Sequence, residues 1–429
     1  MRQHDQSEIL VVGAGPVGMF TALRLAENGI SVQLIDQESR TAGRSYACAL
    51  HPRTLQLLDE AGVAGDAIRL GKRMETVAFY ENADRRAELD LSRLPVEFPF
   101  VLVLEQKTLE DLLERKLRER AGLEVRWNHR LADLVPEGDS VACRIEELAM
   151  DGKGYIVPDL ELEVKKNVSA RAEYVVGTDG QNSVVRHRLD IDCERAGEAQ
   201  FFTVYELETE ASLPPEIRIA LHRQTVSVLW PFTENKCRWS FQWFRADAPV
   251  DFPEKDRGRF ILAESQGNKD KRHRLERLLR ARAPWFKAGI KSVGWAADIQ
   301  FEHRLTQQFG RGRAWLAGDS AHQTGPVGMQ SMNMGFREGA DLAARLTRIL
   351  REKEPPNLLQ AYNLQQRTEW GQLLGLTGTL NAGSATDAWV REHCVKLPSY
   401  IPASGKELSL LLSQLGLEFE CDGLHEVAA

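Results

Sequence analysis

Paired cysteines, a long apolar run and a strong excess of positive charge are all missing from this chain of 429 residues. Its six cysteines are scattered, and no two of them form the C-x-x-C spacing of many zinc and redox sites. Reduced thiols in a cytosolic protein are therefore expected, rather than disulfides or a structural metal. No apolar stretch approaches the roughly 20 residues that cross a bilayer. The formal net charge of −7 gives no electrostatic reason to expect nucleic-acid binding.

What is present is the composition of an ordinary globular protein, with 43% hydrophobic and 27% charged residues. At this length we expect one large domain or two intertwined domains. A glycine-rich segment begins almost immediately, so no cleaved leader is expected. We therefore expect a cytoplasmic monomer or homodimer with no membrane or nucleic-acid partner.

The first glycine-rich segment reads Gly13-Ala14-Gly15-Pro16-Val17-Gly18 and follows an apolar strand. This spacing is what a dinucleotide pyrophosphate requires: Gly13 permits a tight turn, Gly15 lets the backbone approach the phosphates, and Gly18 lets helix and strand pack closely. Asp36, eighteen residues after Gly18, is placed to accept hydrogen bonds from an adenosine ribose. An acid at this position favours FAD or NAD over NADP. The alternative is a glycine-rich turn without a ligand, which the flanking strand, helix and acid oppose.

A second segment, some 300 residues later, has the same character. Gly318 ends an apolar strand, and Asp319 projects a carboxylate beyond the carboxyl end of that strand, where ligands bind to parallel sheets. Such a carboxylate can hold a sugar or ribitol hydroxyl. Residues 325–333 then lead into a helix whose positive N-terminus would face the ligand. Alone, this segment could be a simple turn, but together the two segments indicate FAD.

The order of the predicted elements indicates an α/β fold. We predict a discontinuous, Rossmann-like parallel-sheet FAD domain, an inserted β-rich substrate domain and a helical C-terminus. The predicted boundaries are residues 1–74, 100–190 and 300–385 for the FAD domain, 75–99 and 191–299 for the substrate domain, and 386–429 for the C-terminal helical extension.

Individual elements follow from hydrophobic periodicity. The predicted helices that bear on the site cover residues 15–28, 106–121, 257–264, 269–283 and 336–350. The predicted strands of the insert cover residues 202–208, 216–222, 225–230 and 237–244.

Three motifs in order resemble those of the single-component FAD-dependent aromatic hydroxylases, the group typified by para-hydroxybenzoate hydroxylase. The first is the glycine segment at Gly13. The second is the "DG" motif, Gly177-Thr178-Asp179-Gly180 through Arg186, and the third is the "GD" motif, Gly318-Asp319-Ser320-Ala321-His322 through Asn333. The resemblance covers about residues 7–370.

The resemblance implies roles for specific positions of this chain. Asp319 would bind the ribityl hydroxyls, and Asp179 and Gly180 would touch the cofactor and assist NAD(P)H. Further cofactor contacts are implied for Arg44 and Gln106, and the isoalloxazine ring would be lined by Pro326, Gly328, Met332 and Asn333.

The resemblance also implies an activity. NADPH or NADH would reduce FAD, O₂ would form a flavin C4a-hydroperoxide, and its distal oxygen would hydroxylate an aromatic or polyketide-like small molecule, in secondary metabolism or aromatic catabolism. Two alternatives stay open: an FAD-dependent reductase or dehydrogenase on the same scaffold, and a non-catalytic flavin-binding protein. A flavin halogenase is less favoured, because the segment around Trp295 lacks the W-x-W-x-I-P pattern.

The chain departs from the family pattern beside the expected flavin ring. Gly325 stands where the family has the first of two prolines, Met329 where it has a glycine, and Ser331 where it has another glycine. We expect the side chains of Met329 and Ser331 to narrow or reshape the flavin site. Tyr46 occupies a position at which some members carry an arginine that assists nicotinamide binding, so the choice between NADH and NADPH stays open.

The insert shows no evident arginine clamp for a substrate carboxylate. It is strongly aromatic, and Trp230, Phe232 and Trp243 are candidates for the wall of an apolar substrate pocket. His222 is the best acid–base candidate, although a lone histidine on a strand is more often structural. No metal-ligand spacing, catalytic triad or P-loop is apparent, and the catalytic side chains are otherwise unknown.

Overall fold

The computed structural model describes residues 5–41, 47–153, 159–248, 263–264 and 268–420. Arg44 and Tyr46 lie outside the described residues, as does most of the helix predicted over residues 257–264. The last two residues of that helix, Ala263–Glu264, form a short strand, so the helix prediction is wrong there.

A sheet with a parallel centre forms the base of the cofactor domain. Asp5–Val12 lies between Asp159–Gly177 and Val32–Ile35 and pairs in parallel with both. Across the sheet, the strand order is Gly310–Arg311, Ala314–Leu316, Asp159–Gly177, Asp5–Val12, Val32–Ile35 and Val125–Arg126. Ser140–Lys153 pairs antiparallel with Asp159–Gly177, and His129–Glu137 pairs with Ser140–Lys153.

Two glycines let the long helix Gln330–Arg351 pack closely against the helix Pro16–Glu27. A Cβ atom at Gly335 or Gly339 would overlap side-chain atoms of the first helix. The same first helix also packs against Gln106–Ala121. The start of the chain and the Gly318 region are therefore held together by direct helix contacts.

The insert forms a second sheet of eight strands. Their order is Ala263–Glu264, Ser292–Phe301, Gln200–Glu208, Lys236–Trp243, Thr225–Pro231, Glu216–His222, Thr76–Glu81 and Asp84–Asp90. The pairing is antiparallel except between Glu216–His222 and Thr76–Glu81. The hairpin of residues 76–90 thus joins the sheet of the insert, although it lies far away in the sequence.

Side chains alternate between the two faces of the insert sheet, and each face packs against a different part of the protein. Val204, Trp230 and Ile299 point into the core shared with the cofactor domain. Tyr205, Trp239 and Phe241 instead pack against the helix Asn268–Arg282. This division decides which residues of the insert can reach a ligand in the cofactor domain.

Shorter elements complete the fold. One small sheet contains Ala49–Leu50, Val101–Val103 and Lys72–Met74, and another contains Cys193–Arg195, Arg304–Thr306 and His322–Gln323. The remaining α-helices are Pro52–Glu60, Ala64–Leu70, Val184–Arg188, Leu358–Leu373, Ala388–His393, Leu397–Tyr400 and Gly405–Gln414. Single 3₁₀ turns cover Leu91–Arg93, Arg245–Asp247 and Gly318–Ser320.

The C-terminal segment was predicted to be helical, but it also contains a strand. Its described part ends in the strand Leu417–Glu420, which pairs antiparallel with Thr379–Ala382. Across the described residues, the helices are all too short or too polar to cross a membrane.

Candidate cofactor and substrate site

The three glycines of the first loop have different structural roles. Gly13 has φ +101°, and a Cβ atom there would overlap the carbonyl of Thr178. A Cβ atom at Gly18 would overlap the Gly13 carbonyl. A Cβ atom at Gly15 would meet no protein atom within 4 Å. Gly13 and Gly18 therefore shape the loop, and Gly15 leaves open space where the helix Pro16–Glu27 begins.

Asp36 fixes the glycine loop in the described structure. Its Oδ2 accepts a hydrogen bond from the Ala14 N–H at 2.6 Å, and its Oδ1 accepts one from the Glu38 N–H at 2.8 Å. The carboxylate thus ties the end of the second strand to the loop. Its contact with an adenosine ribose stays a prediction.

Asp179 likewise acts on the protein backbone. Its carboxylate accepts hydrogen bonds from the Ser183 hydroxyl at 2.6 Å and from the N–H groups of Val184 and Val185 at 2.7 and 3.1 Å. Burial raises its pKa above the usual carboxyl value. Asp179 therefore accepts hydrogen bonds from backbone N–H groups at the start of the short helix Val184–Arg188, which have no partner within the helix. It directly precedes Gly180, which has φ +73°.

Gly318 begins the turn that presents Asp319, and a buried carboxylate holds this turn. The Gly318 N–H donates to Glu338 Oε2 at 2.7 Å. The same carboxylate contacts His322 Nε2 at 2.9 Å and accepts from Trp370 Nε1–H at 2.7 Å. Glu338, His322 and Trp370 are fully buried. Three separate segments thus meet at one carboxylate directly beneath the turn.

Hydrogen bonds also join the three sequence motifs to one another. The Thr178 hydroxyl donates to the carbonyl groups of Val12 and Gly13, each at 2.9 Å. The Arg186 guanidinium donates to the Ser320 carbonyl at 2.7 Å, and the Ser320 hydroxyl donates to the Gly177 carbonyl at the same distance. The motifs therefore form one connected structure.

The segment expected beside the flavin ring contains an unusual backbone conformation. Met329 has φ +52° and ψ +38°, in the left-handed region, and it precedes the helix that begins at Gln330. This conformation costs a residue with a Cβ atom about 1–2 kcal/mol. The helix begins six residues before the predicted start at Phe336. The prediction was late because residues 325–335 are rich in glycine and methionine, a composition typical of a loop.

Gly328 and Asn333 form hydrogen bonds that connect the segment before the long helix to residues 49–51. The Gly328 carbonyl is 2.9 Å from His51 Nε2, and Asn333 Oδ1 accepts from the His51 N–H at 2.8 Å. Asn333 Nδ2 donates to the Ala49 and Met329 carbonyls. These bonds occupy the buried amide, and the predicted contacts of Gly328 and Asn333 with the flavin ring stay predictions. Burial lowers the pKa of His51 to about 3, so the ring is neutral.

A cavity of about 240 Å³ lies where these segments meet. Six of the predicted cofactor residues line it: Gly15, Gln106, Gly180, Asp319, Pro326 and Met332. Gln106 is oriented by its bonds to the Ala47 N–H and to Glu110. Predicted residues Gly13, Gly18, Asp36, Asp179, Gly318, Gly328 and Asn333 shape or brace this site in the ways described above.

These features fit an extended dinucleotide such as FAD. Open backbone at Gly15 and Gly180, where an added Cβ would meet nothing within 4 Å, leaves room for a pyrophosphate. Asp319 lines the same cavity and offers a carboxylate suited to ribityl hydroxyls. Pro326 and Met332 add apolar surface to the cavity, suited to a ring system.

A smaller cavity, of about 10 Å³, adjoins the first beneath the insert sheet. Phe301, Pro326 and Met329 line both cavities. The smaller one is also lined by Val204, Arg238, Ser240, Trp295 and Ile299. It has room for about one water-sized group.

Among the predicted substrate residues, Trp230 and Phe232 lie near this smaller cavity. Trp230 pairs in register with Arg238 and is fully buried on the face toward the cofactor domain. The Arg238 guanidinium lies 5.1 Å from the centre of the Phe232 ring.

The other two candidates of the insert, Trp243 and His222, lie on the opposite face of the sheet, and their predicted roles stay predictions. Trp243 donates to the Thr203 hydroxyl at 2.8 Å and packs beneath Arg274 and Arg282. His222 follows the alternation of its strand to the same face. Burial lowers its pKa, as does the nearby charge of Arg282. Neither residue reaches the two cavities.

Sequence reasoning missed Arg238, Ser240 and Trp295. A signal for the first two was present: they alternate with the apolar residues of a strand that is otherwise buried. Two polar residues on one face of such a strand indicate a site on that face.

Together, the parallel sheet, the glycine loop and the carboxylate turn define a dinucleotide-binding protein with an inserted β-sheet. A family model described as "FAD binding domain" matches residues 6–374. The chain belongs to this family, and FAD is its cofactor.

The curated relatives are monooxygenases. The chain is 28% identical over 385 residues to 6-methylpretetramide 4-monooxygenase of Streptomyces rimosus, covering 88% of this chain and 62% of the relative. It is 25% identical to pentachlorophenol 4-monooxygenase of Sphingobium chlorophenolicum, covering 87% and 64%. The chain thus spans less than two thirds of both relatives. The para-nitrophenol 4-monooxygenase of a Pseudomonas strain is 24% identical, with coverages of 90% and 87%.

A solved structure has the same fold over nearly the whole chain. The p-nitrophenol 4-monooxygenase of Pseudomonas putida superposes with a TM-score of 0.72 at 22% identity, covering 96% of this chain and 97% of the other.

Proposed function

We propose that the protein is an FAD-dependent monooxygenase that uses NADH or NADPH and O₂ to hydroxylate an aromatic or polyketide-like small molecule. The observation that carries this proposal is the joining of two cavities through Phe301, Pro326 and Met329. One has the features of a cofactor site, and the other opens toward the insert. A substrate at this junction would lie beside the ring end of the cofactor.

The names of the relatives support an aromatic substrate. They act on a pretetramide, a chlorinated phenol and a nitrophenol, which share an electron-rich or hydroxylated ring. Reduced FAD would supply O₂ activation and oxygen transfer. The free cysteines among the described residues support a cytoplasmic location.

The residues of the chain would bind and orient the reactants and keep the site dry. Asp319 would hold the cofactor at its ribityl chain, and the backbone at Gly15 and Gly180 would accommodate the pyrophosphate. The N-terminus of the helix beginning at Gln330 would favour negative charge on the ring. Val204 and Ile299 would exclude water from the reacting atoms.

The proposal is tested with purified protein reconstituted with FAD and a panel of phenols and polyketide-like aromatics. We expect an active compound to accelerate NADH or NADPH oxidation, consume O₂ and yield a hydroxylated product. Reduction of a substrate without O₂ consumption would instead identify a reductase. Absence of FAD binding would contradict all the flavin-based functions.

A further inference from the structure

Met329 lies at the boundary between the cofactor cavity and the insert. It lines both cavities, as do Phe301 and Pro326. It is 6% exposed and packs in the hydrophobic core that the cofactor domain shares with one face of the insert sheet. The rings of Phe301 and Pro326 are rigid, whereas an unbranched thioether side chain can fill an irregular gap. Met329 is therefore the adaptable part of this boundary.

The backbone conformation of Met329 is unfavourable for any residue with a Cβ atom. Its φ of +52° lies in the left-handed region, which glycine adopts freely. Two contacts hold this segment: the Met329 carbonyl accepts from Asn333 Nδ2 at 2.8 Å, and the Gly328 carbonyl is 2.9 Å from His51 Nε2. Neither contact involves the methionine side chain. A side chain that is kept at a strained position beside a cavity suggests a function for that side chain.

The insert side of the smaller cavity is formed by paired strands. Val204 and Ile299 line it from Gln200–Glu208 and Ser292–Phe301, which pair antiparallel with each other. Widening the cavity on this side would break hydrogen bonds of the sheet. At about 10 Å³, the cavity holds about one water-sized group and no aromatic ring. Space for a larger substrate is therefore gained most readily at the side chain of Met329.

We propose that the Met329 side chain sets the upper size limit of the substrate and restricts it to an aromatic compound with a single ring. This inference rests on the proposed function and specifies the substrate class for the same site. With the methionine in place, the space beside the ring end of the cofactor ends at its thioether. Without this side chain, the two cavities become continuous, and a second fused ring can enter between the cofactor and the insert sheet.

The test compares para-nitrophenol with 4-nitro-1-naphthol, which has the same polar groups in the same arrangement and one additional fused ring. Each compound is titrated into the FAD-loaded protein, and the change in flavin absorbance gives its dissociation constant. We expect the unsubstituted protein to bind para-nitrophenol at least about tenfold more tightly, because the second ring would overpack the site.

Substitutions of Met329 should change this preference according to side-chain size. Met329→Gly should bind the two-ring compound at least about tenfold more tightly than the unsubstituted protein does, because the second ring then buries apolar surface in the vacated space. Met329→Ala keeps the strained backbone and should show the same gain. Met329→Leu has nearly the volume of the original residue and should keep the limit.

The matched control is Lys353→Gly. Lys353 has φ +61° and lies on the surface beyond the end of the long helix, so this substitution relieves the same kind of backbone strain outside the two cavities. It should leave the dissociation constants of both compounds unchanged. FAD affinity is measured for every variant, and all titrations are made with FAD bound.

The inference is overturned if Met329→Gly binds the two-ring compound no more tightly than the unsubstituted protein does. Equal binding of both compounds by the unsubstituted protein overturns it as well, as does the same gain in Lys353→Gly. Product analysis separates this inference from the proposed function. A size preference that follows residue 329 without any oxygen transfer would refute the proposed function alone. Equally efficient hydroxylation of both compounds by the unsubstituted protein would refute the inference alone.

Discussion

An added side chain would have different surroundings at two glycines of the first loop, Gly15 and Gly18. Gly15 has φ −67°, which any residue can adopt, and a Cβ there would point into the cavity without meeting protein. At Gly18 a Cβ would overlap the Gly13 carbonyl, so the loop or the helix would have to move. In the three-glycine motif, a ligand therefore requires Gly15, whereas the fold requires Gly13 and Gly18.

We expect Gly15→Ala to weaken FAD binding by about tenfold or more while leaving the unfolding of the apoprotein nearly unchanged, since the new methyl meets only the ligand. Gly18→Ala should lower both FAD affinity and stability, the latter by about 2 kcal/mol or more. Flavin titration and urea unfolding of the apoprotein measure the two quantities. Equal destabilisation of the apoprotein by both substitutions would contradict these roles.

At the residue scale, the candidate cofactor residues more often line or shape the larger cavity than the candidate substrate residues line either cavity. Spacing alone identifies Gly13 and Gly18, because their roles are set by local backbone geometry. It could not show that Asp36 bonds the Ala14 N–H, or that His222 points away from the cavities. Those outcomes depend on how distant strands pair and on which face of a sheet is covered.

At the scale of elements, one buried carboxylate joins the turn at Gly318 to two helices. Glu338 belongs to the long helix, His322 follows the turn, and Trp370 lies on Leu358–Leu373. The three hydrogen bonds of this carboxylate are to groups that donate or can donate. Its geometry therefore determines where the neighbouring Asp319 is held.

Glu338→Gln would replace one accepting oxygen with an NH₂ group that faces other donors. We expect a loss of about 1–3 kcal/mol in the free energy of unfolding and weaker FAD binding. Urea unfolding and flavin titration are again the measurements. Glu352→Gln, at the exposed end of the same helix, is the matched control and should have little effect. Unchanged FAD affinity in Glu338→Gln would refute its role in positioning the turn.

The predicted helices and strands agree best with the structure where the hydrophobic pattern is local and strong. The helix Gln106–Ala121 and the strand Glu216–His222 have the predicted bounds. The start of the long helix was missed because residues 325–335 are rich in glycine and methionine, a composition typical of a loop. Arg238, Ser240 and Trp295 were missed as residues of one cavity because strand register depends on pairing between distant segments.

At the scale of the whole molecule, burial of neutral His51 links stability to pH. Its ordinary pKa of 6.5 is lowered to about 3 by burial in the fold. Because the pKa of His51 is lower in the folded protein, the stabilisation is present above pH 6.5 and is lost as the pH falls from 6.5 toward 3. The unfolded chain binds the proton, and the folded chain does not.

We expect this histidine to reduce the free energy of unfolding by about 2 kcal/mol at about pH 5 relative to neutral pH. His51→Gln can keep the donor to the Gly328 carbonyl and should remove this part of the pH dependence. Denaturant unfolding across the acid range measures the effect. The exposed His187→Gln is the control. Identical pH profiles for His51→Gln and the unsubstituted protein would contradict the assignment.

The overall architecture could be predicted from the sequence because three cofactor motifs occur in order with a β-rich segment between the last two. The α/β class, the parallel cofactor sheet and the inserted sheet are confirmed. The short C-terminal strand could not be foreseen, since Leu417–Glu420 pairs only with a distant partner. The domain boundaries themselves stay predictions.

In the proposed reaction, one oxygen atom of O₂ enters an aromatic substrate bound beside FAD. The most direct measurement supplies heavy-isotope O₂ to the FAD-loaded protein with NADH or NADPH and an active phenol, and analyses the product by mass spectrometry. We expect one heavy oxygen atom per hydroxylated product, and none when only the water is labelled. A product labelled from water, or consumption of the nicotinamide with no oxygen incorporated into any substrate, would contradict it.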